Sequence, residues 1–248
     1  MTVTEVTPRP TEKGQVAAAL IQQPPPLENG DRLTRAEFER RYHAMPSAKK
    51  AELIEGMVHM PSPLHFEGHA EPHTMIITWL GVYRAATPGV RVGDNASVRL
   101  DADNEVQPDV LLRLDTDTGG HSRITPDDYL EGAPELVVEI AATSASVDLG
   151  DKLKVYRRNG VQEYVVWQVY DDRLNWFELK EGDYTQLTPD ESGVIHSRVF
   201  PGLWLAVKAL LDGDVKAVLA ELQRGLETDE HRSFVERLAA TLSKPIEI

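Results

Sequence analysis

Two carboxylates stand where a water-soluble chain rarely leaves them. Asp109 follows Pro108 at the head of an apolar run, Val110-Leu111-Leu112, and Glu139 lies inside Glu135-Leu136-Val137-Val138-Glu139-Ile140-Ala141. A carboxylate in an apolar strand is costly to bury unless it is paired or bound to a metal. If the two strands are neighbours, Asp109 and Glu139 converge, and two carboxylates with a backbone carbonyl make a hard-oxygen site suited to Mg²⁺. Such an ion could hold a phosphate oxygen and lower the pKa of a bound water, which is what phosphodiester hydrolysis needs. The same spacing admits a plainer arrangement, in which Glu139 points outward from an edge strand and Asp109 caps a turn.

Lys152 follows Asp148-Leu149-Gly150-Asp151 in a segment of helical pattern. Lys152, Val155 and Tyr156 are three and four apart and share one helix face. A lysine aimed at the acids could orient an attacking water or stabilise charge on a phosphate. It could equally be a solvated lysine beside Lys154, Arg157 and Arg158, a basic cluster that would meet a substrate's phosphates, with Lys154 as the contact. His65, His69 and His73 are spaced four apart and would form a metal-binding stripe on an unbroken helix, but Pro72 interrupts the stretch, and a polar helix face explains them as well. The stretch is not H-E-x-x-H, and the chain has no G-x-x-x-x-G-K-[ST] or G-x-G-x-x-G loop.

The elements that must carry these residues can be read from periodicity. Thr34-Arg35-Ala36-Glu37 fits a capping box and predicts a helix to about residue 43. Residues 51–54 and 57–60 flank Glu55-Gly56 as a tight hairpin, closed by Pro61-Ser62-Pro63. Residues 64–86 read as a long helix that starts or kinks at Pro72. Residues 90–100, 108–114 and 135–141 read as strands, 148–159 as a helix ending at Gly160, and 161–169 as a strand. Residues 174–179 and 183–187 form a second hairpin. From Leu203 the pattern turns helical, broken at Asp212-Gly213-Asp214, with a last helix over 230–242. The order predicts an α/β or α+β core of about 110 residues, enough to bury a sizeable interior. Three regions follow: a Pro-rich flexible leader over 1–30 with a helical turn at 17–21, a main domain over 31–212, and a helical extension over 213–248.

The 248 residues carry 26 Lys and Arg against 40 Asp and Glu, a net charge of −14, with no cysteine. The cysteine count excludes disulfides, thiolate zinc sites, iron–sulfur clusters and a catalytic thiol. The acidic balance argues against a general nucleic-acid coat. No secretory signal or 20-residue apolar span is present, so a cytoplasmic protein without a membrane anchor is expected.

Pro108-Asp109-Val110, Glu135 through Ile140, Asp148-Leu149-Gly150-Asp151-Lys152-Leu153, Tyr156 and Gly160-Val161-Gln162-Glu163-Tyr164 together resemble the "putative restriction endonuclease" family abundant in cyanobacteria, within the PD-(D/E)XK nuclease superfamily. Glu52-Leu53-Ile54-Glu55-Gly56, Pro61-Ser62-Pro63 with His65, and Phe200-Pro201-Gly202-Leu203 extend the likeness over roughly residues 34 to 212. No single piece is specific; the ordered set is. The resemblance implies a restriction-endonuclease-like fold, a mixed central sheet flanked by helices with further helices at the C-terminus. It implies Asp109 and Glu139 as ligands of Mg²⁺ or Mn²⁺, and Glu52 as a supporting acid. His65 matches a family histidine and is taken as a substrate contact. Ala141 stands where the usual E-X-K lysine would be, and Lys152 takes its place from the next helix. The expected activity is hydrolysis of DNA by a metal-activated water, in a homodimer with the C-terminal apolar helices as contact surface. The rival is a catalytically inactive nuclease-like scaffold for dimerisation or protein binding, favoured by the charge of −14.

Overall fold

The computed structural model describes residues 24–45, 50–60 and 63–242. The expected helical turn at 17–21, most of the Pro-rich leader, and Pro61-Ser62 lie outside them. Helix α1 (Arg35–His43) starts where the capping box places it, with the Thr34 hydroxyl accepting from the Glu37 N–H at 3.4 Å. Strands β1 (Glu52–Ile54) and β2 (Met57–His59) form the expected hairpin, and Glu55 and Gly56 turn it with φ of 51° and 71°. Leu27 packs with Phe38, Ala51, Leu53 and Val58, so the chain joins the folded body before residue 30.

Of the two readings of residues 64–86, the start at Pro72 holds: α2 (Glu71–Ala86) has Pro72 in its first turn, where a missing N–H costs nothing, and the preceding residues form a wide π turn (Phe66–Ala70). The single strand expected over 90–100 is two strands, β3 (Val90–Asp94) and β4 (Val98–Asp101), in different sheets. Asn95, at φ 51°, breaks the extended run between them. Further strands follow: β5 (Asn104–Val106), β6 (Val110–Leu114), β7 (Ser122–Ile124), β8 (Leu130–Gly132) and β9 (Leu136–Ala141). A single turn α3 (Ala145–Val147), a π turn (Asp148–Lys152) and α4 (Leu153–Asn159) lead to β10 (Glu163–Gln168), and Gly160 caps α4 at φ 86° as expected. The hairpin β11 (Arg173–Lys180) and β12 (Asp183–Leu187) forms as expected. The chain ends in β13 (Val194–His196), β14 (Trp204–Ala206), α5 (Val207–Leu211), α6 (Val215–Leu226) and α7 (Asp229–Leu242). Leu205, read as helical, is in β14, which pairs with β13.

One mixed sheet runs β12-β11-β10-β9-β6-β3, with β9 and β10 parallel and the other pairs antiparallel; a second runs β2-β1-β5-β4-β8-β7. Side chains alternate across the first sheet. Val110, Leu112, Leu136, Val138, Ile140, Val165 and Trp167 face α2 and the C-terminal helices. Leu111, Val137, Ala141, Tyr164 and Val166 face α4 and the second sheet. Val218 and Leu222 of α6, with Phe234 and Leu238 of α7, lie in the core that α2 shares. The apolar stripe expected to offer a dimer contact is therefore spent inside the chain.

Glu163, at the head of β10, is fully buried and accepts from the Ser197 hydroxyl at 2.7 Å and the Arg198 N–H at 2.6 Å. Burial outweighs these bonds and pushes its carboxyl up to about 7 from 4.5. The folded chain thus keeps this proton longer than the unfolded one, and stability is lost as pH rises from about 4.5 to about 7, by about 3 kcal/mol at most. Glu163→Gln is expected to flatten the fall of melting temperature over that window; parallel wild-type and variant curves would refute the assignment.

Candidate active site

The pleat decides where the two acids point. Strands β6 and β9 pair antiparallel with Val110 opposite Val138 and Leu111 opposite Val137. Continued one step, this register sets Asp109 opposite Glu139, and directly opposed residues of an antiparallel pair bring their Cβ atoms about 5 Å apart. Glu139 shares its face with Val137 and Ala141, the side covered by α4. It does not point outward from an edge strand, because β9 is flanked by β6 and β10.

Four of the expected residues meet in one cleft of about 290 Å³. The Lys152 Nζ lies 3.0 Å from Glu139 Oε1 and 3.0 Å from Glu52 Oε1. Asp109 Oδ2 accepts from the Ile140 N–H at 2.7 Å, which ties the carboxylate to the strand that carries Glu139. Glu52 Oε1 also accepts from the Gln107 N–H at 2.7 Å, two residues before Asp109. All four side chains are buried.

Five further residues complete the site; of these the sequence offered only His69 and His73, as members of a possible metal-binding stripe, and it did not link Asp148, Tyr156 or Lys50 to the acids. Asp148 Oδ1 stands 3.7 Å from Lys152, one turn earlier on the same helical segment. The Tyr156 hydroxyl donates to Glu139 Oε1 at 2.8 Å, although its spacing marked only a core position. Lys50 Nζ lies 3.7 Å from Asp109 Oδ1. His69 is buried, with Nδ1 3.3 Å from the Ile140 carbonyl and Nε2 3.5 Å from Asp109 Oδ1. His73 Nε2 lies 3.0 Å from the Asp109 carbonyl oxygen and 3.2 Å from Asp94 Oδ1.

His65 is exposed at the rim and lines the cleft. Lys154 does not reach it: exposed, it pairs with Asp151 at 2.9 Å and lines a separate shallow depression with Arg157 and Arg158. Two residues along a helix turn the side chain by about 200°, so an inward Lys152 sends Lys154 outward. The basic cluster is also largely neutralised. Arg157 pairs with Asp183, and Arg158 with Glu55 at 2.7 Å and Asp101 at 3.2 Å.

The electrostatics are lopsided: four buried carboxyls, from Glu52, Asp109, Glu139 and Asp148, face the ammonium groups of Lys152 and Lys50. Burial, with Asp109, Asp148 and Glu52 nearby, outweighs Lys152 and pushes the Glu139 carboxyl up to about 8. Burial pushes Glu52 the same way, but Lys152, Lys50 and the Gln107 N–H hold it below the ordinary range. Burial would lower Lys152, yet Glu139, Glu52 and Asp148 raise it well above a free lysine. A proton on Glu139 thus compensates charge that the local cations leave unbalanced. Among the described residues no three His, Cys, Asp or Glu side chains are arranged to hold a metal together. Two carboxylates and an excess of negative charge nevertheless suit a hard divalent cation in both donor type and charge.

The sequence model of the family described as "Uma2: Putative restriction endonuclease" matches residues 35–208. Among solved structures, "a putative nuclease belonging to DUF820" from Anabaena variabilis ATCC 29413 superposes with a TM-score of 0.54 at 11% identity, over 70% of this chain and 96% of that one. The likeness shows a shared nuclease-like fold of mixed sheets and helices. No curated protein matches the chain.

Proposed function

Because the chain belongs to the Uma2 family of "putative restriction endonucleases", we propose that it is a divalent-metal-dependent endonuclease acting on DNA. The observation that carries this reading is the pair Asp109 and Glu139 on opposed strands, buried at a cleft whose acids outnumber its cations. Asp109 and Glu139 would hold Mg²⁺ or Mn²⁺, which supplies Lewis acidity and a water acidic enough to attack phosphorus near neutral pH.

The remaining work falls to the chain's own groups. The Ile140 N–H fixes the Asp109 carboxylate, and the Tyr156 hydroxyl with Lys152 fixes that of Glu139. Lys152 stays an ammonium at neutral pH, held by three acids. It can therefore orient a water or donate to a phosphate oxygen, but it does not accept the water's proton. Glu52 supports the site by gripping Lys152. The surface ion pairs of Lys154, Arg157 and Arg158 are exposed, and such pairs are worth at most about 1 kcal/mol each, so phosphates can displace them. DNA affinity is then modest and falls with salt.

The test is cleavage of single- and double-stranded DNA with Mg²⁺ or Mn²⁺. The expected result is cleavage by the wild type and none by Asp109→Ala. Cleavage that survives Asp109→Ala sinks the assignment of the site. A wild type that binds metal yet cuts no DNA or RNA supports the scaffold reading instead.

A further inference from the structure

His69 presents a buried nitrogen that nothing within the chain satisfies. Its residue is 6% exposed, and Nε2 has no hydrogen-bond partner. The other ring nitrogen settles the tautomer. A carbonyl oxygen only accepts, so Nδ1, 3.3 Å from the Ile140 oxygen, carries the hydrogen. In the neutral ring Nε2 then bears a lone pair, and it faces Asp109 Oδ1 across 3.5 Å. The other Asp109 oxygen is already occupied by the Ile140 N–H. Two electron-pair donors thus face each other at a separation that a shared cation explains, since neighbouring donors around an ion at about 2.1 Å stand about 3 Å apart. An imidazole that gives its second N–H to a backbone carbonyl is also the usual arrangement of a metal-bound histidine.

The π turn (Phe66–Ala70) accounts for the placement. It holds His69 at the sheet while leaving His65 at the rim. His73, its ring 5.5 Å from that of His69, is used differently: it bonds the Asp109 main-chain carbonyl and anchors that residue from behind.

We propose that His69 Nε2 is a ligand of the same ion as Asp109, and that this nitrogen biases the site toward first-row transition ions over Mg²⁺. The proposal rests on the metal-dependent reading above and narrows it. Carboxylate and carbonyl oxygens suit Mg²⁺, whereas imidazole favours transition ions, so one nitrogen in an otherwise oxygen set shifts the choice.

The experiment is Mn²⁺ binding to the full chain, followed by electron paramagnetic resonance for ¹⁴N coupling and by calorimetry, with Mg²⁺ titrated in parallel. The expected result is ¹⁴N coupling in the wild type, kept in His65→Gln and lost in His69→Gln. Mn²⁺ affinity should fall at least about tenfold in His69→Gln, the loss that removal of a supporting residue alone can cause, and Mg²⁺ affinity by much less. Coupling is read on the wild type, so it does not depend on how the variant folds. Bound Mn²⁺ without ¹⁴N coupling, or equal losses for both ions in His69→Gln, overturns the proposal. If Asp109→Asn still abolishes Mn²⁺ binding in that case, the metal-dependent reading stands and His69 is an ordinary partner of Asp109. If the wild type binds neither ion, or Asp109→Asn binds both as the wild type does, the proposal and the metal-dependent reading fall together.

Discussion

Glu139→Gln is expected to abolish DNA cleavage, by at least about a thousandfold, while leaving the metal-free chain as stable as the wild type or more so. The loss of activity follows from the role assigned to the carboxylate: Lewis-acid stabilisation by a bound ion is worth several kcal/mol, and about 4 kcal/mol is a factor of a thousand. The stability effect has the opposite sign because the wild-type carboxyl is a burden when no cation is bound. Burial and three neighbouring acids push it up to about 8 from 4.5. A carboxyl raised in the folded state leaves the chain unpenalised below about 4.5, loses stability as pH rises, and costs the full amount above about 8. Glutamine keeps the shape, and its carbonyl oxygen can accept from both Lys152 and Tyr156, which now meet at Glu139 Oε1. Melting in EDTA should therefore fall less between pH 6 and pH 9 in the variant than in the wild type, by up to a few kcal/mol. A variant that melts well below the wild type at pH 9, or that still cuts DNA, would refute the charge arrangement.

The parts of this site that were legible in the sequence were those governed by a short period. Alternation along Leu136–Ala141 puts Glu139 with Val137 and Ala141, and the i, i+3, i+4 spacing puts Lys152 with Val155 and Tyr156; both faces are buried together. What local periodicity could not supply was partnership across the chain. Lys50, 59 positions before Asp109, reaches that residue because the β1–β2 hairpin leans on β5, a strand of three residues that carries no periodic signal. His69 was visible as one of three evenly spaced histidines, yet only the π turn distinguishes it from His65. Strands of three residues, such as β7, β8, β13 and β14, are too short for alternation to register. The acidic total of −14 misled in one respect and informed in another. It suggested that a local basic strip would compensate, whereas Lys154, Arg157 and Arg158 are each matched by a carboxylate. The excess that matters is buried, around Glu139.

Lys152→Met tests that excess from the other side and carries the largest expected cost in stability. Lys152 is 4% exposed and lies within 3.0 Å of Glu52 and Glu139 and 3.7 Å of Asp148. Removing one partner of a buried ion pair typically costs about 3–5 kcal/mol, because the remaining charge has neither water nor a counter-ion. For a chain of this size that is roughly 10 °C of melting temperature. The loss should be greatest at high pH and shrink as pH falls, since protonation discharges the stranded carboxyls; a deficit that grows on acidification would contradict the assignment. Added Mg²⁺ or Mn²⁺ should recover part of the melting temperature, because a divalent ion replaces the missing charge, and a ligand at a hundred times its Kd contributes about 2.7 kcal/mol. Cleavage should not return with it. The ion compensates the carboxylates but cannot substitute for an ammonium group that orients water or meets the phosphate. Lys152→Arg separates the two roles: it keeps the charge and should keep most of the stability, but its planar fork replaces a compact donor and should still impair cleavage. A Lys152→Met chain that melts like the wild type in EDTA would mean that the acids around it are not ionised together, and the buried charge excess, with the metal site inferred from it, would have to be abandoned.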